Sequence, residues 1–361
     1  MRVEDVTIEV RDLALTRVGE VDPTFWSDVL LEVELNGPGH WSMTLPAEDP
    51  VVQALALPGA GIVVNGPDGQ LFSGPVEPFS REQTQADVQG MIAFQGVSDS
   101  ALLWDVPILP NPAVDANAQT LDAYVVTGAA ETVLHTAVNA QIGPGAIAAQ
   151  RGALADLIVM GADLGRGSSR TLRSRFDVLG EKLAELAKLD GLGFRIVQVD
   201  DGLEFQTYAA RDMTGYVRFD MDNDTLARIS YEVAPPGVTD VLVAGQGEGA
   251  DRQIIVRNSV ESLAAADEWG RRKRVWKDQR NTDVTAELQQ AGDELLAESG
   301  FTQALTKLIP ADTVGELEYG RDWLVGDRVA VVIGDTEVET TVTGAVIAIG
   351  QSGVLVGARI G

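Results

Sequence analysis

The stretch Val29-Leu-Leu-Glu-Val-Glu-Leu35, Asn36-Gly-Pro-Gly39, His40-Trp-Ser-Met-Thr-Leu45 decides the fold class. Val29–Leu35 largely alternates apolar and acidic side chains, the period-two pattern of a strand buried on one face. Asn36–Gly39 is turn chemistry, and the alternation resumes over His40–Leu45, so the stretch predicts a β-hairpin. The same pattern extends outward. Met1–Asp12 alternates, and Ile62–Val64 and Leu71–Val76 flank the turn Asn65–Gly69. Gln89–Val97 adds a strand, and Val51–Leu57 is a short apolar turn of helix or strand. About five or six strands in roughly 100 residues point to a small barrel or sandwich.

The pattern changes at Pro107, Pro110 and Pro112, which read as a linker. Thr127 is placed to cap a helix over Gly128–Ile142, stopped by Gly143-Pro144-Gly145. Asp177 is placed to cap a second helix that runs to Leu189 and buries Leu179, Leu183 and Leu186. Gly193–Val199 and Leu203–Tyr208, joined by Asp200-Asp201-Gly202, predict a hairpin. Pro235-Pro236 opens a third segment, with strands at Thr239–Ala244 and Arg271–Trp276. Its helix starts at Thr282 or Asp283, carries Leu288, Ala291, Leu295 and Leu296, and ends at Ser299-Gly300. Strands follow at Arg328–Ile333, Val338–Thr343, Ala345–Ile349 and Val354–Ile360. Leu57-Pro-Gly-Ala-Gly-Ile-Val-Val and Leu324-Val-Gly-Asp-Arg-Val-Ala-Val echo each other, as do Gly74-Pro75-Val76 and Gly344-Ala345-Val346.

Composition narrows the chemistry. The 361 residues hold 54 Asp and Glu against 27 Lys and Arg, a net charge of −27. This length suggests roughly two to three compact units. With no cysteine there is no disulfide framework, zinc-thiolate site or cysteine nucleophile. Two histidines, His40 and His135, leave few general bases for neutral pH. The acidic balance opposes wrapping nucleic acid, which takes a dense Lys/Arg surface. Met1–Asp12 lacks the apolar run of a signal peptide, and Val329–Ile333 and Ala345–Ile349 are far too short to span a bilayer. Synthesis in the cytosol is the expectation.

Each candidate motif has a plainer reading beside it. Gly245-Gln-Gly-Glu-Gly249 has dinucleotide-loop spacing, but the strand-like Ile254-Ile255-Val256 follows where a helix is needed, so a turn is expected. Asp220, Asp222 and Asp224 have the spacing that opens a calcium loop. Thr225 and Tyr231 then stand where that loop takes glycine and glutamate, leaving a solvated acidic turn or a weak divalent-ion site. Glu131 and His135, one turn apart, read as a helix-surface contact, and His40 as a cross-strand neighbour. No Gly-x-Ser-x-Gly elbow occurs, so no catalytic residue, cofactor or metal ligand is assigned. Arg271-Arg272-Lys273-Arg274 is the one basic run; a subunit or partner contact and a solvated strand face are both open readings.

Several phrases taken together resemble a known group. They include Trp41-Ser-Met-Thr-Leu-Pro, Phe72-Ser-Gly-Pro-Val, Thr127-Gly-Ala-Ala-Glu-Thr-Val-Leu, Val243-Ala-Gly-Gln-Gly-Glu-Gly and Tyr319-Gly-Arg-Asp-Trp-Leu-Val-Gly-Asp-Arg-Val. Their order resembles the ReqiPepy-type siphovirus tail proteins of actinobacterial phages and prophages, over nearly the whole chain. The resemblance implies a tail hub, or baseplate hub, at the distal end of a phage tail. It implies a homotrimer in which each subunit supplies two small β-barrel, tail-tube-like domains with an α+β domain inserted between them. The expected fold is therefore α+β, mainly β. The first barrel covers 1–106 and is completed by 214–234, the inserted α+β domain covers 107–213, and the second barrel, with one long helix, covers 235–361. Implied partners are the tail tube or distal tail protein, the tape measure, and tip or receptor-binding proteins, with DNA only as passing cargo. The rival expectation is a cell-wall carbohydrate-binding protein or peptidoglycan hydrolase using a carboxylate pair. Trp26, Trp41, Trp104, Trp269, Trp276 and Trp323 would then supply sugar-stacking faces.

Overall fold

A computed structural model describes residues 2–25, 27–83, 90–299, 303–310, 317–334, 336–350 and 353–361. Trp26, Gln89 and Gly300 lie outside them. The period-two stretches near the amino terminus form β1 (Thr7–Arg11), β2 (Arg17–Glu20), β3 (Ser27–Glu34), β4 (His40–Pro46), β5 (Gly61–Gly66), β6 (Gly69–Glu82) and β7 (Met91–Val97). Between β4 and β5 lies α1 (Pro50–Leu55), whose first turn is closed by the Asp49 carboxylate accepting from the Val51 N–H at 2.8 Å. The middle of the chain forms β8 (Tyr124–Ala129), α2 (Ala130–Gln141), β9 (Ile158–Met160), β10 (Ser169–Ser174), α3 (Leu179–Leu189), β11 (Leu192–Val199) and β12 (Gly202–Ala209). Then come β13 (Arg218–Phe219), β14 (Leu226–Val233), β15 (Asp240–Ala244), β16 (Ile254–Arg257), α4 (Val260–Glu268), β17 (Arg274–Asp278) and α5 (Thr285–Ser299). The last strands are β18 (Gln303–Pro310), β19 (Arg328–Ile333), β20 (Thr336–Gly350) and β21 (Gly353–Ile360). Strand at 42% and helix at 23% make the protein mainly β.

One 13-stranded sheet carries both ends of the chain, in the order β14-β18-β21-β20-β3-β4-β7-β6-β5-β1-β2, with β19 on β20 and β13 on β19. Among the described residues this path is open and closes into no barrel. Its joint is β3, which pairs with β4 on one side and β20 on the other. Leu31 lies opposite both Trp41 and Ile347, and all three are buried in a core that also takes in Phe94, Phe219 and Trp323.

The strand pairing cuts across two expected boundaries. Residues 214–234 were expected to complete the first barrel; within them β13 pairs with β19 and β14 with β18. Residues 235–361 were to form one unit, yet they serve two cores. Val241 and Val243 of the three-stranded sheet β16-β15-β17 pack under Leu288 and Ala291 of α5, whereas residues from 303 onward return to the large sheet. Period-two patterning reports which face of a strand is buried, but it is silent about distant partners.

The two halves of the large sheet repeat one strand order. β3-β4-β7-β6-β5-β1 is matched by β14-β18-β21-β20-β19-β13. The long strands β6 and β20 are used alike: the first half pairs with β5 or β19, the second with β7 or β21. Val76 lies opposite Gly96, and Val346 lies opposite Gly357. Gly74, at the change of partner, has no room for a side chain, because a Cβ there would collide with the Val97 carbonyl oxygen. One difference remains: β1 runs antiparallel to β5, while β13 runs parallel to β19.

The α+β segment packs α2 and α3 on β8, β10, β11 and β12 through Leu134, Val138, Leu183 and Phe205. The β11–β12 hairpin forms as expected, with Val199 opposite Gly202. The expected caps do not form. Thr127 is in β8, where its hydroxyl meets that of Thr171 at 2.8 Å, and α2 starts at Ala130. Asp177 accepts from the Ser174 hydroxyl at 2.6 Å while Val178 takes the cap position of α3. The predicted strand Arg271–Trp276 begins later, at Arg274.

A buried polar cluster fastens this segment to the sheet through Gln198. Arg11 of β1 donates to Asp99 through Nη2–Oδ1 at 2.5 Å and Nη1–Oδ2 at 3.0 Å. Ser73 of β6 donates to the same carboxylate at 2.7 Å, and Gln198 of β11 accepts from Arg11 at 2.9 Å. Arg11 is 2% exposed and Asp99 is fully buried. Removing one member leaves the other charge buried and alone, so Asp99→Ala is expected to cost about 3–5 kcal/mol. The double variant Arg11→Met, Asp99→Leu should recover most of that loss. Urea unfolding midpoints of the two variants check both statements.

Candidate functional site

The histidine with a carboxylate one turn away is a buried structural knot rather than the expected surface contact. Glu131 on α2 is fully buried, and the Arg166 guanidinium reaches it through Nη2–Oε1 at 2.5 Å and Nε–Oε2 at 3.0 Å. The Arg166 backbone N–H adds a third bond at 2.8 Å, and the Thr207 hydroxyl donates to Oε1 at 2.6 Å. His135 Nε2 lies 3.0 Å from that hydroxyl, with its ring edge-on to Phe205. The one hydroxyl proton of Thr207 is committed to Glu131, so His135 is the donor toward Thr207 and takes no proton from it. Hydrogen bonding from Arg166 holds the Glu131 carboxyl down to about 2, and burial lowers the His135 pKa. This is a clamp from α2 to β12 and the Gly165–Gly167 loop, with its base already neutralised.

The other motifs resolve simply. His40 is exposed on β4, opposite Glu32 and Val97. Gly245–Gly249 lies in the connection between antiparallel β15 and β16. Asp220 is paired with Arg218 at 2.8 Å and accepts the Asp222 N–H at 2.9 Å. Among the described residues no three ligating side chains gather as a metal site. Trp41 and Trp323 are core residues, whereas Trp269 and Trp276 are partly exposed.

What the structure builds at the surface is a sheet face. Arg274, Trp276 and Asp278 point outward from the edge strand β17, while α5 covers the opposite side. Leu242 lies between Val256 and Trp276, and Ile254 continues the row. Ile254, Val256 and Trp276 are each about half exposed, at 51%, 55% and 49%. Arg252 stacks over Trp276 at 5.4 Å and pairs with Asp278. Of the basic run, Arg271, Arg272 and Arg274 are exposed and Lys273 is half-buried. Arg272 and Arg274 also lean toward the buried Asp240, at 3.8 and 4.0 Å. The sequence reading picked out the basic run and missed the apolar row beside it; the unbroken apolar run Ile254-Ile255-Val256, which puts apolar side chains on both faces of a strand, was the available signal.

A larger cleft of about 460 Å³ opens where the sheet meets the α+β segment, lined by Phe72, Arg195, Tyr208, Tyr319 and Asp327 among others. Burial raises the Tyr208 hydroxyl to about 12, so it is a neutral hydrogen-bonding group. Among the described residues no helix is long and apolar enough to cross a membrane.

An extended sheet, an open sheet face and a neutralised polar core describe a part built for contact. The fold is shared with phage tail proteins. A 43 kDa tail protein of prophage MuSo2 from Shewanella oneidensis has a similar structure, with a TM-score of 0.61 at 11% identity, covering 99% of this chain and 98% of that one. A tail protein from Neisseria meningitidis MC58 has a TM-score of 0.59 at 13% identity, over 98% and 96% of the two chains. Prophage tail protein gp18 from Listeria monocytogenes EGD-e has a TM-score of 0.57 at 11% identity, over 98% and 94%. No curated protein sequence matches the chain. The model of the Siphovirus ReqiPepy6 Gp37-like protein family matches residues 7–361, and the chain belongs to that family of siphovirus tail proteins. Family and fold together support a structural role in a phage tail or baseplate.

The depressed Glu131 carboxyl carries a pH signature. Its folded pKa lies below the ordinary carboxylate value of 4.5, so its stabilisation is complete above that value and is lost as pH falls toward about 2. Glu131→Gln should lower stability at neutral pH and flatten the loss between those limits. Unfolding free energies measured across the pH range check this.

Proposed function

We propose that this protein is a tail hub, or baseplate hub, subunit. Three copies form a ring at the distal tail end, join the tail tube or distal tail protein to the tip, and let DNA pass. The observation that carries this reading is the repeated six-strand order set side by side in one chain of a siphovirus tail family. Two like sheets per subunit and three subunits give six like positions around an axis, which suits a sixfold tube. In this reading 1–106 forms the first tube-like β domain of the ring and 107–213 the inserted domain. Residues 214–234 with 303–361 form the second tube-like β domain, interrupted by 235–299. The work is assembly rather than catalysis, and the subunit is made in the host cytoplasm before joining the virion.

Charge fits the same reading. A chain of −27 around a channel repels phosphate and keeps DNA from sticking. Arg271, Arg272, Lys273 and Arg274 beside Trp276 supply a local basic contact for an acidic neighbour, either another subunit or a tail partner such as the tape measure or a tip protein.

The native mass of the purified chain tests the reading: three chains are expected, with a central channel in electron micrographs. A single-chain mass that persists with tail partners present would sink it, as would peptidoglycan cleavage abolished by one carboxylate substitution. Within the assembled tail, Arg271→Ser with Arg274→Ser is expected to weaken partner binding several-fold at low salt and to reduce its salt dependence. Pull-down across a salt series reads both effects.

A further inference from the structure

We propose that copies of this chain join edge to edge: the second half of β6 in one copy pairs with β14 of the next. This repeats between chains the β20–β3 junction that each chain makes within itself. The inference rests on the ring reading above and names the strands that close it.

The argument is one of filled and open positions in a repeated sheet. In the carboxy-terminal repeat, Gly344–Ile349 of β20 has β21 on one side and β3 on the other. The corresponding segment of the amino-terminal repeat is residues 76–82 of β6, which pairs with β7. Among the described residues no strand lies on its other side. The strand that fills the position on β20 is β3, the first of its repeat. Its counterpart is β14, which ends the sheet. Among the described residues one chain therefore presents an open socket and, elsewhere, an open strand of the kind that fills it. Two unlike edges that fit each other give a head-to-tail contact, the type that closes rings.

Burial marks the same asymmetry. Ala345, Ile347 and Ile349 of β20 are at most 1% exposed under β3. Residues 77–82 of β6 are exposed throughout. Phe79 lies opposite Phe94, a fully buried core residue, with ring centroids 5.8 Å apart, so it faces the core side of the sheet. It is nevertheless 48% exposed, the uncovered counterpart of the isoleucines on β20. On β14, Ile229 lies opposite the buried Leu308 and so faces the same side, half-buried. Exposed Glu77 and Glu82 on β6 complement exposed Arg228 on β14. Pro78 lacks a donor, so the ladder there rests on the residues around it. The opposite end of the sheet is not equivalent. β2 has only four residues, and its Arg17 is held by Glu9 and Glu20, a short charged edge of the kind that resists pairing.

The absence of native cysteine makes the test direct. Phe79→Cys or Ser80→Cys is combined with Ala227→Cys or Arg228→Cys in the full chain, oxidised, and run under denaturing conditions without reductant. Double variants are expected to give a ladder of linked chains that ends in a closed species, while single variants stay at one chain. Native mass of the unsubstituted chain is measured alongside. A three-chain mass with no link in any double variant, or with equal linking in single variants, overturns the edge pairing and leaves the ring reading standing. A one-chain mass at every concentration, with or without tail partners, overturns both. As a second arm, Phe79→Glu should weaken assembly at least tenfold at an unchanged melting temperature of the dissociated chain, and Phe79→Leu should restore it. Undiminished assembly of Phe79→Glu counts against the proposal.

Discussion

The two-sided pairing of β3 is the constraint on which the molecule depends. A strand inside a sheet must satisfy its N–H and C=O groups on both edges, and β3 does so with β4, its hairpin neighbour, and β20, from the far end of the sequence. Remove either ladder and the shared core around Leu31, Trp41 and Ile347 loses a wall. The two repeats of the sheet are held as one body because this strand belongs to both. The α+β segment is hung on that body by polar joints. Gln198 reaches the buried Arg11–Asp99 fork, and Arg211–Asp327 repeats the bidentate form at the exit of β12. Thr171 and Gln290 then tie the small α5 unit to that segment.

Arginine–carboxylate forks stand at the two contacts with the sheet, and they suit a chain poor in cations. A guanidinium meets both carboxylate oxygens in a fixed geometry, so a single arginine positions two elements where a lysine would supply only a point charge. In a protein with twice as many acids as bases, the buried carboxylates Asp99 and Glu131 each meet an arginine, and these pairs set geometry.

Local structure was legible in the sequence because it is written in short periods. The alternation of Val29–Leu35 gave β3, Asp200-Asp201-Gly202 gave the β11–β12 turn, and Leu288, Ala291 and Leu296 gave the buried side of α5. Partner choice was not legible. Nothing in Leu226–Val233 says that it pairs with β18 rather than with the first hairpin, since both pairings bury the same alternation. The Glu131–His135 spacing predicted proximity correctly, but its burial comes from Arg166 and Thr207, which lie on separate elements. The apolar row on the outer face of β15–β17 was hidden for a related reason, because a face becomes visible only when its three strands are assembled. The Gly74 and Gly344 echo was the exception, since the need for a bare backbone where a strand changes partners leaves a mark in one dimension.

The β3–β20 ladder also sets a schedule. Val29–Glu34 pairs with residues 344–349, so the joint cannot form until those distant residues have been translated. At roughly 5–20 residues per second, β3 waits tens of seconds with one edge open, and such long-range pairing is intrinsically slow to form. During that interval the nascent amino-terminal sheet exposes the same kind of unfilled edge that the finished chain offers on β6. A cell translating many copies at once therefore holds sheets able to capture one another before they are complete. Timely closure by residues 344–349 separates ordered assembly from aggregation.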